Sequence, residues 1–199
     1  MSVPAAPAAG RVDRAAAVRT ALRTLVARHG FHGASMSAVA TEAGVGTGTA
    51  YVHYASKDDL VYATYLEVKQ DLGRAAIADV DAEAPAQTRF HQLWRGIHRH
   101  LSGDPDRARF LLQVESSPYA RTAHTMALAA GDDPILREAS TTDFRARLAS
   151  LPVEILYDLG IGPAVRLAAG PETLDGPALT ALADACWRAI TTDAATQRP

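Results

Sequence analysis

Ser35 to Tyr54 reads SMSAVATEAGVGTGTAYVHY, and this stretch sets the architecture of the chain. It predicts two short helices at a sharp angle, joined by a glycine turn. Ser35 is placed to cap the first, because a serine hydroxyl accepts from a free N–H two or three residues on. Val39 and Ala40 give that helix a small apolar face. Ala43-Gly44-Val45 ends it: Gly44 takes a positive φ at little cost, and Val45 can turn back toward a core. The second helix, about Thr47 to Tyr54, is polar at its start and aromatic at its end. This is the layout of a helix-turn-helix, whose second helix enters a DNA major groove.

The flanks agree. Upstream, Val18, Leu22, Leu25 and Val26 recur at helical spacing from about Arg11 to His29 and predict a buried stripe. Arg14, Arg19 and Arg23 lie off that stripe. Arg11 and Arg14 are near the start, where they could reach phosphates or simply aid solubility. Gly30 ends this helix and Phe31 packs back. Downstream, Ser56 and Asp59 form a capping-box-like pair, and a helix follows through Leu60, Tyr62, Ala63, Leu66 and Val68 to about Val80. Lys57 is unfavourable for the helix dipole at that position, which points to another duty.

Within the second short helix, Thr47, Gly48 and Thr49 lie at the exposed start. Free N–H groups there suit a phosphate or an approach to base edges. Gly48 removes bulk where a backbone must come close. The threonines can hydrogen-bond bases and touch thymine methyls. Tyr51 and His53 are placed to donate to phosphates. For Tyr54 the expectation is a ring in the core, with only the hydroxyl available to a DNA backbone.

Ser35 to Ala40, Ala43-Gly44-Val45, Gly48-Thr49-Ala50-Tyr51, Tyr54 and Ser56 to Leu60 together resemble the DNA-binding segment of the TetR family of transcriptional regulators. The match runs without gaps from about Val18 to Leu60. The resemblance implies a phosphate contact from Lys57. Two positions depart from the common pattern: Thr47 stands where members often carry Lys or Arg, and Ala50 where they often carry a larger apolar residue. The recognition helix therefore has no permanent positive charge, and bidentate arginine readout of guanine is absent from it. The phosphate term is expected from Lys57, the arginines of the first helix and backbone N–H groups, with a shallow salt dependence.

The 199 residues carry 48% hydrophobic and 21% charged side chains, ordinary for a globular protein. Alanine is abundant and no alternating β-branched run stands out, so the expected class is all-α. The net charge of −2 divides into +4 up to Lys57 and −6 beyond it, the asymmetry of a DNA-binding domain on an acidic body. One cysteine, Cys186, excludes an intramolecular disulfide and a thiolate metal site. No stretch is apolar for long enough to span a bilayer. The first ten residues, with Pro4 and Pro7, read as a disordered tail and not a secretion signal, so the expected location is cytoplasmic.

Beyond the fourth helix, Thr88 to Leu101 carries an apolar stripe of Phe90, Leu93, Trp94, Ile97 and Leu101. His91 and His98 are two turns apart, about 10.5 Å along the axis, too far for one metal ion. Asp104-Pro105 and Asp133-Pro134 are helix starts, the latter predicting a helix to about Ser150. A piece from Tyr119 to Ala130 lies between them. Pro152 starts a helix through Ala169 that Pro163 should kink, with small residues Gly160, Ala164 and Ala168 along one seam. Gly176-Pro177 begins the last helix. Glu115, His124 and Asp143 are scattered, and no nucleophile motif or paired carboxylates occur, so neither enzyme activity nor a cofactor is expected.

The expected organisation is a tail over residues 1–10, a helix-turn-helix domain over 11–57, and a helical ligand-binding and dimerisation domain over 58–199. The resemblance implies a homodimeric repressor. Its two terminal helices would pair with those of a second subunit, on a palindromic double-stranded operator released by a small molecule. Aromatic residues with a few polar groups suit such a ligand cavity, and Trp94, His98, Phe110, Tyr119 and Phe144 are the candidates, although plain core is the first reading for each. Rival readings are a regulator of the same fold without an inducer, and a helical ligand-binding protein or enzyme with a relict DNA-binding segment.

Overall fold

The computed structural model describes residues 9–131 and 133–192. The expected tail therefore falls mostly outside the described residues, as does the side chain of Arg11. Twelve α-helices occupy them: α1 (Ala9–His29), α2 (Met36–Glu42), α3 (Thr47–His53), α4 (Lys57–Ile77), α5 (Ala86–Ser102), α6 (Pro105–Glu115), α7 (Ala120–Ala129), α8 (Pro134–Ala139), α9 (Thr142–Arg145), α10 (Val153–Gly160), α11 (Gly162–Ala169) and α12 (Gly176–Ile190). The extended pairing among them is one isolated bridge between Leu148 and Thr191. No described helix is long and apolar enough to cross a membrane.

The chain forms two compact units. One holds the described residues up to Val68 together with Arg109–Met126. The other holds Lys69–Ala108 together with the described residues from Ala127 onward. Compactness therefore does not follow a boundary after Lys57, since the start of α4 and most of α6 belong with the first three helices.

In the first unit, Val18, Leu22 and Val26 of α1 are fully buried, and Val39, Ala40 and Ala50 of α2 and α3 close the same core. The turn between α2 and α3 is built as the sequence predicts. Gly44 has φ +67°, and Val45 N–H donates to Ala40 O at 2.9 Å. A side chain at Gly44 would be strained by that backbone conformation alone. Ser35 Oγ accepts from Ala38 N–H at 3.2 Å. Ser56 Oγ accepts from Asp59 N–H at 3.1 Å and donates to the Asp59 carboxylate at 2.8 Å, which fixes the start of α4.

In the second unit, α5 is the central helix, with α11 and α12 packed against it and α10 against α12. Gly96 lets α5 cross the end of α4 closely: a Cβ there would lie 2.8 Å from Ala75 O. Two expected helices are each split. The segment from Pro134 breaks at Ser140-Thr141, where Ser140 Oγ donates to Leu136 O at 2.7 Å and Thr141 is extended as the cap of α9. Local side-chain bonds of this kind compete with a continuing helix. The segment from Pro152 breaks between α10 and α11 at Ile161, because Pro163 brings no N–H to bond a preceding carbonyl.

Gly160, Ala164 and Ala168 are buried. Their small side chains serve packing inside the subunit; a Cβ on Gly160 would already touch Ile190 at 3.3 Å. Exposed on and before α10 are the larger apolar residues Leu151, Val153, Ile155 and Leu159, alongside the charged Glu154 and Asp158.

Candidate nucleic-acid interface

α3 has one outward face. Gly46 precedes it without a side-chain cap bond, so its first N–H groups are left open. Thr47 and Gly48 are exposed, Tyr51 is 51% exposed and Val52 67%. These positions are related by three- and four-residue steps and share a face. Ala50 is fully buried on the opposite side, and Thr49 and His53 are half-buried at the edges. Val52 was not among the candidates; its spacing of four from Gly48 is the signal that finds it. A Cβ on Gly48 would meet nothing within 4 Å, so no packing inside the protein requires glycine there.

Around that face, Arg14 and Ser35 are exposed. Two candidates are turned inward. The Tyr54 side chain is 8% exposed. Its hydroxyl accepts from Arg19 Nη1 at 2.6 Å and donates to Ala15 O at 3.3 Å. It holds α1 to the end of α3 instead of standing free for a phosphate. Lys57 Nζ donates to Phe31 O and lies 6.0 Å from the Phe31 ring centroid. Its ammonium has a backbone partner in the protein, and a phosphate contact would have to use its remaining donors.

Arg19 is likewise committed. Its Nε and Nη2 donate to the two carboxylate oxygens of Glu67 at 2.7 and 3.0 Å. The Glu67 bond first, and the Tyr54 bond after it, raise the guanidinium pKa against the opposing effect of burial. Of the arginines expected to supply phosphate contacts, this one is built into the fold.

The aromatic candidates do not converge on one cavity. Trp94 is fully buried. It stacks on His98, with ring centroids 5.8 Å apart and planes at 7°. Burial lowers the His98 pKa. Phe110 and Tyr119 belong to the other compact unit. Tyr119 lies 4.8 Å from the Phe31 ring and 5.8 Å from the Tyr62 ring, and its hydroxyl donates to Asp58 at 2.9 Å. Burial, reinforced by that carboxylate, pushes its pKa up to about 12. Only Phe144 of the five lines the apolar cavity of about 250 Å³ in the second unit, together with Phe90, Leu93, Ile135, Leu156 and Ile190.

Beside that cavity lies an ion-pair network centred on the buried Arg89, which no spacing in the sequence reveals. Arg89, 5% exposed, donates to Glu138 at 2.5 Å, to Asp143 at 2.9 Å, to Thr141 Oγ1 at 3.1 Å and to Ala84 O at 2.7 Å. It ties α5 to α8 and α9, which carry one wall of the cavity. His91 and His98 of α5 have separate surroundings: His91 Nε2 is 3.0 Å from Asp184, whereas His98 faces Trp94 and Ser102. Among the described residues, no three His, Cys, Asp or Glu side chains gather in a metal-binding group.

Comparison with known proteins agrees with this geometry along the chain. Residues 18–64 match the family described as bacterial regulatory proteins, tetR family. Residues 85–191 match the tetracyclin repressor-like C-terminal domain. An uncharacterised helix-turn-helix transcriptional regulator of Haemophilus influenzae is 27% identical over 184 residues, covering 90% of this chain and 97% of the relative. The crystal structure of a TetR-family regulator from H. influenzae superposes with a TM-score of 0.74 at 27% identity, covering 92% of this chain and 99% of that one. A structure described as a putative TetR-family regulator from Shewanella sp. PV-4 gives 0.78 at 25% identity, covering 90% and 99%. With an exposed recognition helix on a helix-turn-helix scaffold and a matching C-terminal domain, the chain belongs to the TetR family of DNA-binding transcriptional regulators.

Proposed function

We propose that the protein is a repressor that binds a palindromic operator as a homodimer and leaves it when a small molecule binds the C-terminal unit. The observation that carries the reading is the outward face of α3: Thr47, Gly48, Tyr51 and Val52 are exposed while Ala50 anchors the helix in the core. Thr47 and Tyr51 supply hydrogen bonds, Val52 supplies an apolar contact for a thymine methyl, and Gly48 allows close approach. Arg14, Ser35, Thr49, His53 and Lys57 contribute around that face.

Dimerisation is supported by the exposed apolar side chains Val153, Ile155 and Leu159 on α10. Ala181, Ala185 and Ala189, spaced by four on the exposed side of α12, add a flat surface. A two-fold pairing of these helices would give an operator the same symmetry. Release then requires that the ligand bind more tightly to a state whose recognition helices no longer fit adjacent major grooves.

The test uses fluorescence anisotropy with a pool of random-sequence duplexes. The wild-type protein should retain a fraction of the pool, and a variant carrying Thr47→Ala, Tyr51→Ala and Val52→Ala should lose it while keeping its helical circular dichroism. Equal retention by both would remove α3 as the reading element.

A further inference from the structure

We infer that the ligand of the C-terminal cavity is a medium-sized apolar molecule bearing one anionic end, a monocarboxylate of fatty-acid type. This deepens the ligand-responsive reading above and rests on it. The walls come from Phe90 and Leu93 of α5, Ile135 of α8, Leu156 of α10 and Ile190 of α12, with few polar atoms facing inward. Such walls favour a ligand that gives up hydrocarbon surface to them. At ~30 Å³ for each water-sized group, a cavity of about 250 Å³ holds a chain of roughly eight carbons and excludes large polycyclic compounds.

The charge at the cavity decides the end group. Arg145 is the one charged residue that lines it, and no Asp or Glu does. Arg145 is exposed, and its guanidinium has no carboxylate or hydrogen-bond partner among the described residues. The nearby acids are committed: Asp143 and Glu138 are held by Arg89. The two hydroxyls of the lining also have partners, since Ser140 donates to Leu136 O and Tyr157 accepts from Lys69 at 3.5 Å. The charged capacity of the lining is therefore cationic, a planar fork suited to a carboxylate, and the Tyr157 hydroxyl, which accepts from Lys69, keeps its own proton as a neutral donor.

The cavity carries its own reporter. Trp187 lies 5.4 Å from the rings of both Phe90 and Phe144. Titration of the full chain with octanoate, octanol and octylammonium, followed by tryptophan emission, tests the inference. Octanoate should bind saturably and more tightly than the other two. Arg145→Gln should weaken octanoate about tenfold, the effect of losing one charge-assisted pair, and leave octanol unchanged. Ala139→Phe, which fills the cavity, should weaken both. Equal affinity for the three probes, or an Arg145→Gln variant that binds octanoate as before, would overturn the carboxylate assignment. Failure of the release reading is separable: it would appear as octanoate binding that leaves DNA affinity unaltered. DNA release by a compound that does not perturb Trp187 would instead keep release and overturn the cavity assignment.

Discussion

Arg19 grips Glu67 with two parallel hydrogen bonds, at 2.7 and 3.0 Å, and spends a third on the Tyr54 hydroxyl at 2.6 Å. This joins the first helix to α4 and to the residue that ends the recognition helix. Tyr54→Phe removes one arm and leaves the ring in place. It should lower unfolding stability by about 1 kcal/mol, read from the urea midpoint. DNA affinity should fall little, because the hydroxyl already has internal partners. A large, selective loss of DNA affinity would instead give Tyr54 a direct DNA role.

Gly48 occupies an exposed helical position that no internal contact reserves for glycine. Alanine there should raise stability by about 0.5–1 kcal/mol through helix propensity and the unfolded chain. If the backbone approaches DNA at this point, the same variant should bind DNA more weakly. Thermal unfolding and anisotropy on one sample separate the two effects, and they should move in opposite directions.

Arg89 is buried between two acids. Arg89→Met leaves Glu138 in a largely buried site without its partner and should cost about 3 kcal/mol, in the range for breaking one side of a buried pair. The Arg89 guanidinium also holds the Asp143 carboxyl below its ordinary value. A carboxyl depressed in the folded state adds stability above its unfolded pKa of about 3.9. That stability is lost as pH falls through the lower folded value. Acid unfolding of Asp143→Asn should therefore be less steep with pH below about 4 than that of the wild type.

His98 has its pKa lowered by burial. Protonation then favours the unfolded chain first. Stability should fall as pH drops from about 6.5 toward the lower folded value, and His98→Gln should flatten that part of the profile. Denaturant midpoints from pH 8 to 5 would show it; a wild-type profile that rises on acidification would contradict the assigned direction.

The helix-turn-helix was legible because its information is local. Ser35 caps, Gly44 turns and Ala50 anchors within twenty residues, and each does so in the structure. The exposed face of α3 was legible in part: period alone would have added Val52, but the polar residues drew attention to Thr49 and His53. What the sequence hid depends on residues far apart. Arg19 with Glu67, and Arg89 with Glu138 and Asp143, are separated by about fifty positions, so no spacing rule connects them. Aromatic content does not mark the cavity, because Trp94 and Phe110 fill cores and Tyr119 joins the Phe31 and Tyr62 rings. The small-residue seam at Gly160, Ala164 and Ala168 likewise has an internal use.

Selection of bound duplexes from a random library with the purified protein, followed by sequencing, shows whether the protein reads a two-fold operator through α3. Enrichment of an inverted repeat is expected, with half-sites spaced to one helical turn or a multiple of it, and loss of that enrichment in the Thr47, Tyr51 and Val52 alanine variant. Enrichment of a single unrepeated site, or none at low salt, would contradict a dimeric repressor that reads sequence through α3.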